Sequence, residues 1–338
     1  MKIYGAYRNG VPALATPIEG NGPDLQKVYG ASIRKKEATC YFPAFYPFLP
    51  LIVEDLKTVC PGVEFTDKAM KLIQKETDRF NKMKNKVLDD PNFKFKTAPY
   101  AHQEKAFFHC LYMLRTALLL ACGTGKSFVV ISLLRYLKEP ALIMCPPALI
   151  NNWKLEIEKH SYKNDFVVES LDGSAKKKKE LLAGKIDADI LLVGYATARN
   201  YQEEIFNAFD YKVIVADESQ SIKSMKSQQT KAALLLASKA YRRIIMSGTA
   251  VLNSPEDLYP QLRFLTPALV GTNYWKFRNT YLTFAPHNKH IIVGFKNMKI
   301  LNKRVNSVAL RYKKEDCLTY LNVWKYYVKY LCLLSRER

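Results

Sequence analysis

No run of about 18 apolar residues occurs in these 338 residues, which argues against a membrane-spanning helix. The opening residues, MKIYGAYRNG, lack the apolar core of a secretory leader. Cysteine is present but unorganised. The seven residues, Cys40, Cys60, Cys110, Cys122, Cys145, Cys317 and Cys332, form no CxxC pair, and their number is odd. That argues against a disulfide framework and a zinc site, and for a reducing, intracellular (cytoplasmic) setting. Cys122 and Cys145 abut apolar runs and read as small core residues. Acidic residues are scarce: 31 Asp and Glu face 52 Lys and Arg, a net charge of +21. Such a surplus implies a polyanionic partner, nucleic acid first. From Gly271 to Arg338 there are 14 basic and 3 acidic residues, so +11 sits in the last fifth of the chain.

Against these shortages, hydrophobic residues make up 48% of the chain, enough for a folded protein, and the length fits about two domains. The stretch around which the chain is organised is Thr116 to Phe128, TALLLACGTGKSF. An apolar run leads into Gly123, Gly125, Lys126 and Ser127, and Val129, Val130, Ile131, Leu133 and Leu134 follow at helical spacing. A buried strand, a glycine turn and a helix start let backbone N–H groups wrap a phosphate. Lys126 is placed to reach terminal phosphates and Ser127 to ligate Mg²⁺. The strict pattern asks for glycine where Leu120 stands, so the match is partial. A plain strand-to-helix turn is the competing reading.

Residues 1–35 carry many Gly and Pro and predict short strands and turns, with a hairpin across Lys35-Lys36. The prolines of YFPAFYPFLPLI argue against a regular central strand there. Thr66 predicts the cap of a helix with Ala69, Leu72 and Ile73 inward, and lysines, Glu76 and Asp78 on a solvated face. Residues 84–99 read as a linker, which puts a boundary near residue 95. From Tyr100, strand-like and helical segments alternate: 103–114 (helix), 141–145, 166–171, 190–193, 213–216 and 244–246. That pattern predicts a parallel α/β sheet with helices on both faces, its functional residues following each strand.

After Val213–Ala216 come Asp217, Glu218, Ser219 and Gln220. An acidic pair at a buried strand end is costly unless it holds a cation or water. Asp217 is the candidate Mg²⁺ ligand, and Glu218 the residue that polarises the attacking water. Ser247-Gly248-Thr249 follows the last strand, a weak signal by itself. Pro146 and Pro147, and Tyr195 and Thr197, follow two strands at the same edge of the sheet and are candidates for holding a phosphodiester chain. Trp153 reads as core, and Lys176 to Lys179 as an exposed helix start.

Taken together, PYAHQEKAF, ACGTGKS, ALIMCPPALINNWKLEIEKH, DILLVGYATAR, VIVADESQSIKS, IIMSGTAVLNSPEDLYPQLRFL and VALRYKKEDCL resemble superfamily 2 helicases, the Swi/Snf-like branch of double-strand DNA translocases. The likeness covers Pro99 to about Leu318. The upstream stretch KKEATCYFPAFYPFLPLIVEDLK resembles, more faintly, the region before the motor in annealing helicases. The resemblance implies a RecA-like P-loop lobe at 96–268, an α+β accessory module at 1–95 and a basic helical extension at 269–338. It implies ATP and Mg²⁺ as cofactors, and duplex or forked DNA as partner. Gln103 then reads adenine, and Cys122, Gly123, Thr124, Gly125, Lys126 and Ser127 hold the phosphates. Asp217 and Glu218 serve hydrolysis. Gln220, Ser247, Gly248 and Thr249 couple it to the DNA grip, and Pro146, Pro147, Tyr195 and Thr197 contact the strand. Gln220 replaces the usual histidine of a DEAH-like box, and Ala250 a usual proline. The resemblance also implies a second lobe, which the stretch after RYKKED is too short to build, so a separate protein is the expected source. The rival reading is a truncated, catalytically weak DNA-binding or assembly protein. An unrelated P-loop enzyme such as a kinase fits the SGTAVLNSPEDLY string poorly.

Overall fold

The computed structural model describes residues 1–8, 11–18, 25, 28, 31–34, 38–44, 48–248 and 254–313. Thr249, Ala250 and the segment from residue 314 onward lie outside the described residues.

The chain begins with a mixed sheet. Strands β1 (Lys2–Arg8) and β2 (Val11–Pro17) run antiparallel, β3 (Ser32–Arg34) and β4 (Thr39–Pro43) continue the sheet beyond β2, and β5 (Glu64–Phe65) pairs parallel to β1 on its other side. The β3–β4 pairing is the expected hairpin in shortened form. The expectation that prolines bar a central strand fails at β4, which lies between β3 and β2. Pro43 is its last residue, beyond the reach of β3, which pairs only with Thr39 to Tyr41, so the missing N–H breaks no ladder on that side. Helix α1 (Phe48–Val59) takes in the end of the proline-rich stretch, from Phe48 to Ile52.

Helix α2 (Asp67–Lys84) starts at Thr66, whose hydroxyl accepts from the Ala69 amide at 3.3 Å. Ala69 and Leu72 are buried as expected. Glu76, expected on the solvated face, is 3% exposed, and burial raises its pKa above the ordinary carboxylate value even with Arg79 beside it. Residues 85–100 contain no helix or strand but are not a free tether. Phe93 stacks on Phe107 and Phe95 meets Phe107 edge-on.

Helix α3 (Ala101–Tyr112) leads into the main sheet, with β6 (Arg115–Leu120), α4 (Lys126–Leu137), β7 (Ala141–Cys145), α5 (Ile150–His160), β8 (Val168–Leu171), α6 (Ala175–Leu182), β9 (Ile190–Gly194), α7 (Tyr195–Asn200), α8 (Gln202–Ala208), β10 (Val213–Ala216), α9 (Gln228–Lys239), β11 (Arg242–Met246), α10 (Pro255–Leu265), α11 (Pro267–Val270) and α12 (Tyr274–Tyr281). A hairpin of β12 (Leu282–Ala285) and β13 (Asn288–Phe295), helix α13 (Met298–Val308) and β14 (Ala309–Tyr312) follow.

The main sheet has seven strands in the order β14-β6-β11-β10-β7-β9-β8, each pairing parallel. Side chains alternate between two cores. Val213 and Val215 belong to the core that includes α3, α4 and α5, while Ile214 and Ala216 belong to the core of the opposite face, which is continuous with that of the N-terminal module. Burial on both faces is why these strands read as unbroken apolar runs. The C-terminal extension adds more than helices. Its hairpin stands apart, and β14 joins the main sheet beside β6, Ala309 opposite Ala117.

Candidate active site

The glycine turn sits between β6 and α4. Gly123 and Gly125 have φ of +80° and +86°, backbone that L side chains rarely adopt. A Cβ on Gly125 would overlap the Gln103 amide. That amide is 8% exposed, donates to the Thr124 carbonyl at 3.1 Å and accepts from the Tyr100 amide at 3.0 Å. His102 Nε2 meets the same Thr124 carbonyl at 2.9 Å, a contact the sequence reading missed. Thr124 ties the turn internally through the Ala121 carbonyl at 2.8 Å. The Lys126 ammonium lies under the turn and donates to the Leu120 carbonyl at 3.0 Å. Ser127 follows in the first turn of α4, where peptide N–H groups lack intrahelical partners. Cys122 is exposed, not core, with its Sγ against Gly248, whereas Cys145 is fully buried as expected.

The acidic pair caps β10 at the same edge of the sheet. Asp217 is 6% exposed and both carboxylate oxygens accept hydrogen bonds. Trp153 Nε1 donates to Oδ2 at 3.0 Å, and the Glu218 amide to Oδ1 at 2.9 Å. Burial pushes the Asp217 carboxyl above its usual pKa of 3.8, with the Trp153 bond and the Lys126 charge drawing it partly back. Lys126 and Asp217 are thus near enough to act on one another, with β11 between their strands. Trp153 is core, 1% exposed, but its indole N–H also fixes the carboxylate, a role no local pattern signalled because 64 positions separate the two residues.

Glu218 adopts φ +48°, ψ +58°. Its Oε2 accepts from Gln220 Nε2 at 2.8 Å, and Gln220 Oε1 accepts from the Ser247 hydroxyl at 3.2 Å. Gln220 therefore joins the acidic pair to the end of β11, as a residue with both a donor and an acceptor can. Ser219, behind it, donates to Gln261 at 2.7 Å and anchors the turn to α10.

Of the residues expected to meet a nucleic-acid strand, Pro147 is exposed, Pro146 and Thr197 half-buried, and Pro147 packs against Gly194, so the loops after β7 and β9 touch. Tyr195 departs from expectation. It is 4% exposed and its hydroxyl donates to the Asp217 carbonyl at 2.7 Å, so it supports the acidic turn from inside. An aromatic ring at the start of α7 buries its apolar body and keeps its one polar atom bonded.

The residues suit a nucleoside triphosphate with Mg²⁺. The turn is a cradle that side chains at Gly123 and Gly125 would disrupt, and the buried Asp217 carboxylate is an oxygen donor of the kind magnesium takes.

The SNF2-related domain family model matches residues 69–338. The DNA annealing helicase and endonuclease ZRANB3 of Bos taurus is 28% identical over 209 residues, 59% of this chain and 19% of that protein. The TATA-binding protein-associated factor MOT1 of Saccharomyces cerevisiae is 31% identical over 186 residues, covering 53% and 10%. The DNA repair protein RAD5A of Arabidopsis thaliana is 37% identical over 139 residues, covering 40% and 13%. Among solved structures, the Sulfolobus solfataricus SWI2/SNF2 ATPase core in complex with dsDNA superposes with a TM-score of 0.56 at 26% identity, covering 68% of this chain and 47% of that one. The chain spans under a fifth of the length of these three curated relatives and about half of the solved core. With the parallel sheet, the glycine turn and the acidic strand end in place, and the family model spanning 69–338, the chain belongs to the SNF2-related domain family.

Proposed function

We propose that this chain is the nucleotide-binding lobe of a DNA-dependent ATPase, which binds ATP with Mg²⁺ and acts on duplex or forked DNA when a second RecA-like lobe completes the cleft. That lobe is supplied by a separate protein or by the remainder of a longer chain. The carrying observation is the convergence of Lys126 and the buried Asp217 at one edge of the sheet. In this reading the turn from Cys122 to Ser127 holds the phosphates and Gln103 lies at the base. Ser127 and Asp217 hold the metal, and Glu218 orients the attacking water. Magnesium held there withdraws charge from the phosphate oxygens during transfer. Gln220 and Ser247 carry the state of Glu218 to the end of β11, and with Gly248 and Thr249 they couple hydrolysis to the DNA grip. Pro146, Pro147 and Thr197 form the strand-facing loops.

The division into an accessory module at 1–95, the lobe at 96–268 and an extension at 269–338 belongs to the same proposal. So does an intracellular setting, with which the free thiols of Cys60, Cys110, Cys122 and Cys145 agree. The direct test is Lys126→Ala with titrations of ATP and of duplex DNA. ATP affinity is expected to fall by more than about tenfold, because a charge-assisted contact is lost. DNA affinity should hold, because dispersed Lys and Arg carry it. Unchanged ATP affinity would overturn the site.

A further inference from the structure

We propose that a basic cavity at the opposite edge of the sheet is a second anion site, built for a free small molecule that carries two or more phosphate groups. The cavity, about 910 Å³, lies between the N-terminal module and the lobe, with Ala13 and Phe42 on one side and Arg115 and Arg243 on the other. Arg115 opens β6 and Arg243 is the second residue of β11, so both stand at the amino ends of strands whose carboxyl ends face the nucleotide turn. The six residues of β6 separate the two places by about 20 Å.

Three features set this cavity apart from ordinary surface charge. Its wall also carries Arg263, Arg304 and Lys276, and its described lining residues include no Asp or Glu. The arginines nearest the sheet are buried: Arg115 is 4% exposed, Arg243 9%, and Arg242 behind them 2%. Their hydrogen bonds go to main-chain carbonyls. Arg115 donates to Leu114 and Tyr241, Arg243 to Ala240 and Phe264 (3.1 Å each), and Arg242 to Cys110 and Met113. Among the described residues no carboxylate pairs with any of the three, and Arg115 Nε has no hydrogen-bond partner.

Buried cations without a counter-ion are expensive to keep. Burial and the neighbouring guanidinium groups drive Arg115 well below its usual pKa, and burial brings Arg243 down to about 10. A ligand bringing negative charge offsets that strain. Planar guanidinium groups favour phosphate oxygens, and the Thr266 and Thr272 side chains at the wall add neutral donors. The volume suits a nucleotide-sized molecule and excludes a duplex.

The test is a calorimetric titration of inorganic tripolyphosphate into the full chain carrying Lys126→Ala, which removes the nucleotide turn as a competing site. One saturable site is expected to persist. Adding Lys276→Glu, at the exposed rim, should weaken it by about tenfold or more, and Arg263→Gln should act in the same direction. Lys178→Glu in α6 makes the same charge change away from the cavity and should leave the site intact. Absence of a saturable site, or equal weakening by Lys178→Glu and Lys276→Glu, would reduce the binding to general charge attraction and overturn the proposal. Displacement of tripolyphosphate by a short single-stranded oligonucleotide at equal phosphate concentration would assign the cavity to nucleic acid and overturn it as well. Because the background lacks Lys126, the result stands apart from the fate of the ATP assignment.

Discussion

The indole of Trp153 fills core volume and, with its one N–H, holds an oxygen of Asp217 in place. The two jobs separate in Trp153→Phe, which keeps an aromatic ring but leaves Oδ2 without that donor. The variant should remain folded, losing about 1–2 kcal/mol in denaturant melts, while Mg²⁺-dependent nucleotide affinity falls about tenfold, as when the support of a metal ligand is removed. Full metal affinity in the folded variant would show that the indole only packs. The raised pKa of Asp217 has its own consequence. Protons and metal compete for the same oxygens, so metal-dependent affinity falls as pH falls through that raised value. The loss therefore begins at higher pH than for an exposed aspartate, and a pH series of Mg²⁺-dependent ATP binding reads it directly. Trp153→Phe should move the onset higher still, because the indole bond is one of the influences that hold the pKa down.

Among the elements, α3 lies across the end of α13, where His109 Nε2 meets the Val308 carbonyl at 3.4 Å. Burial lowers the His109 pKa from 6.5 to about 4. The folded chain therefore keeps the imidazole neutral, while the unfolded chain protonates it at about 6.5. Its contribution is complete above 6.5 and disappears as pH falls from there toward about 4. His109→Asn should lose that part of the acid sensitivity, on the order of 1–3 kcal/mol, in melts compared at pH 7 and pH 4. Strand positions such as Val213–Ala216 and Ala141–Cys145 were legible because burial on both faces leaves continuous apolar runs bounded by Pro, Gly or Asp. Strand β14 was not, since ALRY mixes half-exposed apolar residues with an exposed arginine and resembles any basic segment. Strand order escaped as well. Nothing local records that β11 inserts between β6 and β10, and the Trp153–Asp217 and Tyr195–Asp217 bonds depend on that order and on distant residues. The glycine turn and the acidic pair showed through because their chemistry is carried by adjacent residues.

In the proposed reading, the lobe forms one face of a cleft. Transition-state charge in phosphoryl transfer is commonly met by an arginine from across such a cleft, an effect of roughly 10³–10⁵ in rate. A chain of these 338 residues is expected to bind ATP yet turn it over feebly, and a second RecA-like lobe added in trans should raise DNA-stimulated hydrolysis. Robust DNA-stimulated turnover by the chain alone would contradict that division of labour. The N-terminal module shares a continuous apolar core with the lobe, so Ile3, Leu14 and Phe42 belong to the same cluster as Ile214 and Ala216. Deleting the module should therefore lower the thermal stability of the lobe instead of leaving it unchanged.

Strand β6 has a partner on each side, β11 and β14, and both follow it late in the sequence. On a ribosome, the segment that shapes the phosphate turn emerges with neither edge satisfied, and its second neighbour becomes available only when Ala309–Tyr312 leaves the exit tunnel. Until then a strand ending in the apolar run Ala117 to Leu120 shows open N–H and C=O groups to any chain nearby. Nascent chains halted before residue 309 should precipitate or recruit holding chaperones, and the nucleotide turn should be among the last parts of the protein to mature.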